Sequence, residues 1–129
     1  MMYSTITHDI KVSVIPEYDT FNSFPANNKF VFRYNIIIEN LSNEAVMLMK
    51  RSWLIYDVGY GFTEVKGDGV IGLTPEIQPG EKFKYFSNAI LRSGIGNMQG
   101  SYTFRNMFTQ EIFESDVPKF NLVSEVVCN

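Results

Sequence analysis

Apolar and polar residues alternate with a period of two along most of the chain, which predicts β-strands with one dry and one wet face. The clearest example begins at Lys29, where Phe30 and every second residue to Ile38 are apolar or aromatic, with Arg33 and Asn35 between them. No segment keeps the spacing of an amphipathic helix over three turns. The pattern therefore predicts an all-β fold.

A second strong run extends from Val46 to Tyr56 and carries apolar residues on both parities, so we expect a central strand that is covered on both faces. Turn-forming residues at 40–44 precede this run and predict a hairpin. The turn at residues 78–81 has Pro79 second and Gly80 third, which suits a type II turn because glycine accepts the positive φ required there.

Shorter alternating runs complete the set of predicted strands, at residues 5–14, 62–65, 82–87, 98–105, 111–114 and 120–123. His8 interrupts the apolar row of the first run, residues 88–97 are predicted as a loop, and Pro118 is expected to separate the last two strands. Roughly seven or eight short antiparallel strands with turn signals between them are typical of a β-sandwich. In such a sandwich we expect Trp53 in the core and Tyr102 at a strand corner, with its hydroxyl bonded to backbone.

Length, charge and cysteine content narrow the class of protein. The 129 residues suit one domain, residues 1–129, and a formal net charge of −3 disfavours binding to nucleic acid. No stretch approaches the apolar length that spans a bilayer, and the N-terminus lacks the features of a secretory leader. Cys128 is the sole cysteine, so no intrachain disulfide is expected. We predict a cytoplasmic domain without membrane insertion.

Five motifs, in order along the chain, carry a resemblance to a known family. They are FRYNIIIENLS at residues 32–42, RSWLI at 51–55, VKGDGVIGLTP at 65–75, PGEKFKY at 79–85 and MQGSYTF at 98–104. Together they resemble the bacterial ApaG family (ApaG domain, DUF525) over about residues 7–122. The resemblance implies an immunoglobulin-like or fibronectin type III-like sandwich without catalytic residues. It also implies an association with cobalt and magnesium resistance or efflux, and a protein-binding role like that of related eukaryotic F-box and DNA-polymerase-interacting proteins.

The glycine loop at residues 67–72 has the letters of a dinucleotide fingerprint, but Pro75 and Pro79 leave no room for the helix that this fingerprint needs. Two interpretations remain open. The loop is a tight turn or bulge between edge strands, or its backbone N–H groups form a nest for a phosphate-containing anion. The residues of the predicted anion site are Lys66, Gly67, Asp68, Gly69 and Gly72, with Arg51 and Arg92 if the fold brings them near.

No catalytic or metal-binding constellation is evident in the sequence. His8 is the sole histidine and has no nucleophile in a recognisable motif, so an enzyme is not predicted and no cofactor is implied. A metal site would need oxygen ligands, for which Asp57, Glu64 and Asp68 are the candidates.

We therefore expect a non-enzymatic binding module with a protein partner. The alternative is a phosphate- or nucleotide-binding protein that uses the glycine loop. Met107 and Phe108 would mark a contact site if they are exposed together with Phe62 or Tyr60. Pairing of edge strands between chains would give a homodimer, which the sequence leaves open.

Overall fold

The computed structural model describes residues 1–124, and Cys128, the basis of the disulfide prediction, lies outside them. The strands are β1 (Tyr3–Thr7), β2 (Ile10–Tyr18), β3 (Phe30–Asn40), β4 (Val46–Asp57), β5 (Gly61–Asp68), β6 (Glu76–Ile77), β7 (Lys82–Leu91), β8 (Ile95–Asn106) and β9 (Ile112–Val123). A 3₁₀ turn at Pro25–Asn27 is the single helical element of the described part. The predicted all-β class is confirmed.

Two antiparallel sheets pack face to face as a sandwich. The first sheet has the order β1-β2-β3-β7, and the second has the order β5-β4-β8-β9 with β6 paired to the start of β4. The central position of β4 is therefore as predicted, but only one of its faces packs on the other sheet, and Leu54 and Tyr56 are partly exposed. No helix in the described residues has the length and apolar character needed to cross a bilayer.

The core lies between the sheets and is rich in aromatic rings. Trp53 is 3% exposed and contacts Tyr34, Tyr102 and Phe120 through edge-to-face ring contacts, as the sequence predicted for a core tryptophan. The prediction for Tyr102 is wrong in two respects, because the residue lies within β8 and not at a strand corner, and its hydroxyl does not bond to backbone. It forms a 2.5 Å hydrogen bond with the hydroxyl of Tyr85 in the other sheet.

Three predicted strand boundaries are wrong, each for a local reason. Residues 5–14 form a hairpin, because His8 and Asp9 both adopt positive φ and turn β1 back on β2. Residues 88–91 continue β7, because Ala89 and Leu91 are buried on the same face of the strand as Tyr85. Strand β9 passes through Pro118, because a bulge opposite residues 98–100 of β8 accommodates the missing N–H donor.

The two sides of the sandwich differ, and the difference positions the candidate site. On the side that we call the closed side, β1 and β9 are joined by side chains. The Asp116 N–H donates to the Thr7 hydroxyl at 3.3 Å, the Asn121 N–H donates to the Tyr3 hydroxyl at 3.4 Å, and His8 Nδ1 lies 3.0 Å from the Glu114 carbonyl oxygen. On the open side, β5 and β7 are edge strands with no hydrogen bond between them.

Candidate functional site on the open side

Arg51 in β4 organises the glycine loop from the inner face of the second sheet. The residue opposite Arg51 in β5 is Gly67, and a Cβ at that glycine would come within 2.8 Å of the Arg51 guanidinium. The guanidinium therefore lies flat against the backbone at Gly67 because that residue has no side chain. Arg51 Nη1 donates to the carbonyl oxygens of Asp68 and Gly69, each at 3.0 Å.

The rest of the glycine loop is a tight turn whose donors bond internally. The Gly69 N–H donates to the Met49 carbonyl, and Val70 and Leu73 exchange backbone hydrogen bonds at 2.8 and 2.9 Å. Ile71 and Gly72, at the tip, both have positive φ, which is the geometry of a type I′ turn. Of the two interpretations, the geometry matches the tight turn, and the N–H groups of Gly69 and Val70 are not available to an anion.

The structure brings together only part of the predicted anion site. Arg51 donates hydrogen bonds to Asp68 and Gly69 and lies against Gly67, while Gly72 lines a cleft with it. The side chain of Lys66 lies on the outer face of the same sheet, where Lys66 lines a shallow cleft with Arg51, Gly67 and Asp68. It pairs with Glu64 at 3.3 Å, and both side chains are well exposed.

Arg92 lies at the far end of β4 from Arg51. Its guanidinium lies over the Tyr60 ring at 5.4 Å, and its backbone N–H donates to the Asp57 carboxylate. Six residues of extended chain separate positions 51 and 57, or about 20 Å. Arg92 therefore does not converge on the loop.

The three predicted carboxylate ligands for a cation are also apart. Asp57 accepts hydrogen bonds from the N–H groups of Arg92 and Ser93 and from the Ser93 hydroxyl. Glu64 pairs with Lys66 instead. Within residues 1–124 there is no group of three or more His, Cys, Asp or Glu side chains that is placed to hold a metal ion.

A small cleft opens between the sheets beside the glycine loop, with a volume of about 170 Å³. Its lining is formed by Tyr34, Arg51, Trp53, Tyr85 and Ser87 with the loop residues Val70, Ile71 and Gly72. Burial raises the pKa of Tyr34 and raises the pKa of Tyr85 and Tyr102 further, while the charge of Arg51 opposes the rise. The phenols therefore stay neutral and serve as hydrogen-bonding groups.

Strand β7 presents an unpaired main-chain edge next to this cleft. The Asn40 N–H bonds to the Glu81 carbonyl, so even-numbered residues of β3 bond toward β7, and their partners in β7 are odd-numbered. The N–H and C=O groups of the even-numbered residues therefore point away from β3. These residues are Lys82, Lys84, Phe86, Asn88 and Ile90, and none of their main-chain groups has a described partner.

The exposed side chains of this edge are apolar in one half and basic in the other. Phe86 and Ile90 are 52% and 59% exposed, and the Arg33 guanidinium lies 3.7 Å above the Phe86 ring. Lys82 and Lys84 are exposed and make no ion pair with a described residue. Inward from Phe86, a shallow groove of about 400 Å³ runs over Ile15 and Ile37 on the outer face of the first sheet.

Sequence reasoning missed this edge because it ended the strand at Ser87. One signal was available, since the alternation that buries Phe83 and Tyr85 continues through Ala89 and Leu91. The other predicted contact site is not a single surface. Phe108 is 82% exposed beside the start of β4, whereas Tyr60 and Phe62 are exposed at its other end.

Comparisons with known proteins agree with the motifs and the fold. The model of the ApaG domain (DUF525) matches residues 20–106. The chain belongs to the ApaG domain family. It is 40% identical over 121 residues to Protein ApaG of Mesorhizobium japonicum, covering 94% of this chain and 92% of that protein. Protein ApaG of Rhodospirillum centenum is 42% identical over 125 residues, with 95% and 94% covered.

A solved structure shares the architecture of this ApaG-domain chain. The crystal structure of an ApaA protein from Bordetella pertussis superposes with a TM-score of 0.87 at 34% identity, covering 91% of this chain and 94% of that one. The matched region includes both edges of the open side in this chain, because the family model spans β5 and β7.

Proposed function

We propose that this ApaG-domain chain is a non-enzymatic module that binds a protein partner through the open side of its sandwich. The observation that carries the proposal is the unpaired edge of β7, where Phe86 and Ile90 are exposed and are two of the five residues whose main-chain groups have no described partner. Natural sheets usually cover or charge such edges, because bare edges pair with other chains. The half of the edge that carries Phe86 and Ile90 has no charged residue of its own on β7, which favours a role in binding.

The association with cobalt and magnesium resistance, implied by the family, would on this proposal act through the partner. Of the acidic residues that could have bound a cation, Asp57 and Glu64 are engaged in other contacts, and no three such residues of the described part form a cluster. We take the partner to be cytoplasmic, in line with a sequence whose single cysteine allows no intrachain disulfide.

The test is capture of partners from native lysate by three forms of the full chain. The wild type is compared with Phe86→Asp on the open side and with Ile112→Asp, a matched change at an exposed isoleucine of β9. We expect one set of proteins to be retained by the wild type and by Ile112→Asp and to be lost with Phe86→Asp. Retention of the same proteins by all three forms would remove the open side as the binding surface.

A second candidate function, binding of a phosphate-containing anion, is supported by the state of Arg51. The guanidinium has no carboxylate partner among the described residues, and only Nη1 is engaged in hydrogen bonds. Arg51 lines the same cleft as Tyr34 and Ser87, so its remaining N–H donors are within reach of an anion bound there. An anion would therefore bind Arg51 in the cleft, without Lys66 or Arg92.

Thermal denaturation with inorganic pyrophosphate tests the anion function. Ligand at 100 times its dissociation constant stabilises a protein by about 2.7 kcal/mol, which a melting curve resolves readily. We expect a rise in Tm that Arg92→Gln keeps and that Arg51→Gln abolishes. An unchanged Tm at millimolar pyrophosphate would remove this function and leave the protein-binding proposal untouched.

A further inference from the structure

We infer that the partner segment is an extended peptide with an apolar first half and an acidic second half, which adds to the first sheet as an antiparallel strand beside β7. This inference rests on the proposed function and specifies the chemistry of its partner. Strand addition to a sheet edge is a general mode of peptide recognition, in which main-chain bonds give affinity and alternate side chains give specificity.

The hydrogen-bonding parity of β7 fixes how such a strand would pair. The free N–H and C=O groups belong to the even-numbered residues, at every second position from Lys82 to Ile90. Each of these residues forms a two-bond pair with the residue directly opposite in an antiparallel strand. A nine-residue segment therefore meets the whole edge and uses the main-chain groups of its odd positions.

Side chains at these odd positions would lie on the outer face of the first sheet. Opposite Ile90 and Phe86 they meet exposed apolar surface, which they would cover at positions 1 and 5 of the segment. Opposite Lys84 and Lys82, positions 7 and 9 meet two lysines that lack an ion pair within the described residues. Carboxylates at these two positions would pair with the lysines, of which Lys82 also has Glu39 of β3 directly opposite.

The second sheet leaves space for the even positions of the added strand. In β5, Val65 is opposite Trp53 and Thr63 is opposite Ile55, so both side chains have the parity of the inner face. Both are nevertheless exposed, Val65 at 37%, because the first sheet does not cover them. A strand added beside β7 would extend the first sheet toward these residues, so small apolar side chains suit positions 2 and 4.

The probe is the peptide IVTVFTETE with blocked ends and a fluorescent label, titrated with the full chain by fluorescence anisotropy. Two doubly N-methylated peptides separate strand addition from simple apolar contact. Methyl groups at positions 3 and 5 remove donors that face β7, whereas methyl groups at positions 4 and 6 lie on the far edge. We expect the first pair to weaken binding at least tenfold and the second pair to weaken it less than threefold.

A charge exchange tests the direction of the strand. Lys84→Glu should weaken binding of the acidic peptide severalfold, and a peptide with lysine at position 7 should bind this variant with the original affinity. The reversed sequence, ETETFVTVI, should bind at least tenfold more weakly than the probe. Equal effects of the two N-methylated pairs, or no saturable binding of the probe, would overturn strand addition.

The failure of this inference is distinguishable from failure of the proposed function. If the probe does not bind but Phe86→Asp still abolishes partner capture, the open side binds a protein in another way. If sedimentation shows a dimer that Phe86→Lys dissociates, a second copy of the chain occupies the edge and the peptide inference is wrong. Circular dichroism of both variants, which alter an exposed residue, establishes that they are folded.

Discussion

The edge strands of the two sheets are connected to each other on the closed side of the sandwich and are not connected on the open side. Where β1 meets β9, side chains of Tyr3 and Thr7 accept bonds from main-chain donors of the neighbouring strand and bridge the two sheets. Where β5 and β7 end the sheets, Arg51 holds the glycine loop but no bond joins the two strands. One edge is bridged within the chain, and the other is left available to another molecule.

Aromatic residues show the same contrast. On the closed side the ring of Tyr3 packs against Phe120, which is fully buried and also contacts Tyr34 and Trp53. On the open side the ring of Phe86 is half exposed and is covered only by a guanidinium. The same type of side chain therefore stabilises the core at Phe120 and forms part of the exposed surface at Phe86.

The largest expected effect contrasts two phenylalanines. Phe120→Ala should lower the free energy of unfolding by about 3–5 kcal/mol, because it empties a site surrounded by aromatic rings. Phe86→Ala should cost less than about 1 kcal/mol, since it removes an exposed ring and one cation–π contact. Urea denaturation of both variants measures the difference. Similar losses would mean that Phe86 is part of the core.

A smaller loss of stability is expected when Arg51, which holds the glycine loop, is replaced. Arg51→Gln removes the charge-assisted hydrogen bonds to the carbonyls of Asp68 and Gly69, and should cost about 1–3 kcal/mol after allowance for partial exposure. Arg92→Gln, which removes only an exposed contact with Tyr60, should cost about 0.5 kcal/mol or less. If the two variants melt together, Arg51 does not hold the loop.

The tyrosine pair Tyr85 and Tyr102 should change the pH dependence of stability only at high pH. Burial raises the pKa of Tyr85 and Tyr102 above the ordinary value of 10.0, so both phenols stay protonated in the folded state while the unfolded state loses protons. Their contribution to stability is fully present below about pH 10 and is lost as pH rises through the raised pKa.

Replacement of both tyrosines by phenylalanine provides the measurement. The double variant should be nearly neutral at pH 7, because both partners of one buried hydrogen bond are removed together. Between pH 9 and pH 11 its Tm should fall less steeply than that of the wild type. Parallel pH profiles would show that the hydroxyls titrate freely, contrary to their burial.

Much of the fold is predictable because the pattern of one buried face is a local property of each strand. The alternation from Phe30 to Ile38 and the turn with Gly80 at positive φ are both as the sequence indicates. Some errors are local, such as the turn at His8 and Asp9, whereas the error at residues 88–97 depends on a long-range contact. The Asp57 carboxylate bonds to the chain at Arg92 and Ser93 and fixes a tight turn where a long loop was predicted.

The candidate site was predictable only in part. Arg51 and Gly67 were both identified, but their contact depends on the register of β4 against β5, which a single sequence does not reveal. The same register places Lys66 on the opposite face of the sheet. The edge of β7 is defined by which strands lie beside it, so its exposure follows from topology and not from the residues of β7 itself.

Amide hydrogen exchange along β7, resolved residue by residue by NMR, tests the availability of this edge most directly. In the free protein, the N–H groups of Lys84, Phe86 and Asn88 should exchange rapidly, while those of Tyr85 and Ser87, which bond to β3, should be protected. Addition of the peptide IVTVFTETE should then slow exchange at the three even-numbered residues. Equal protection at odd and even positions in the free protein would contradict an open edge.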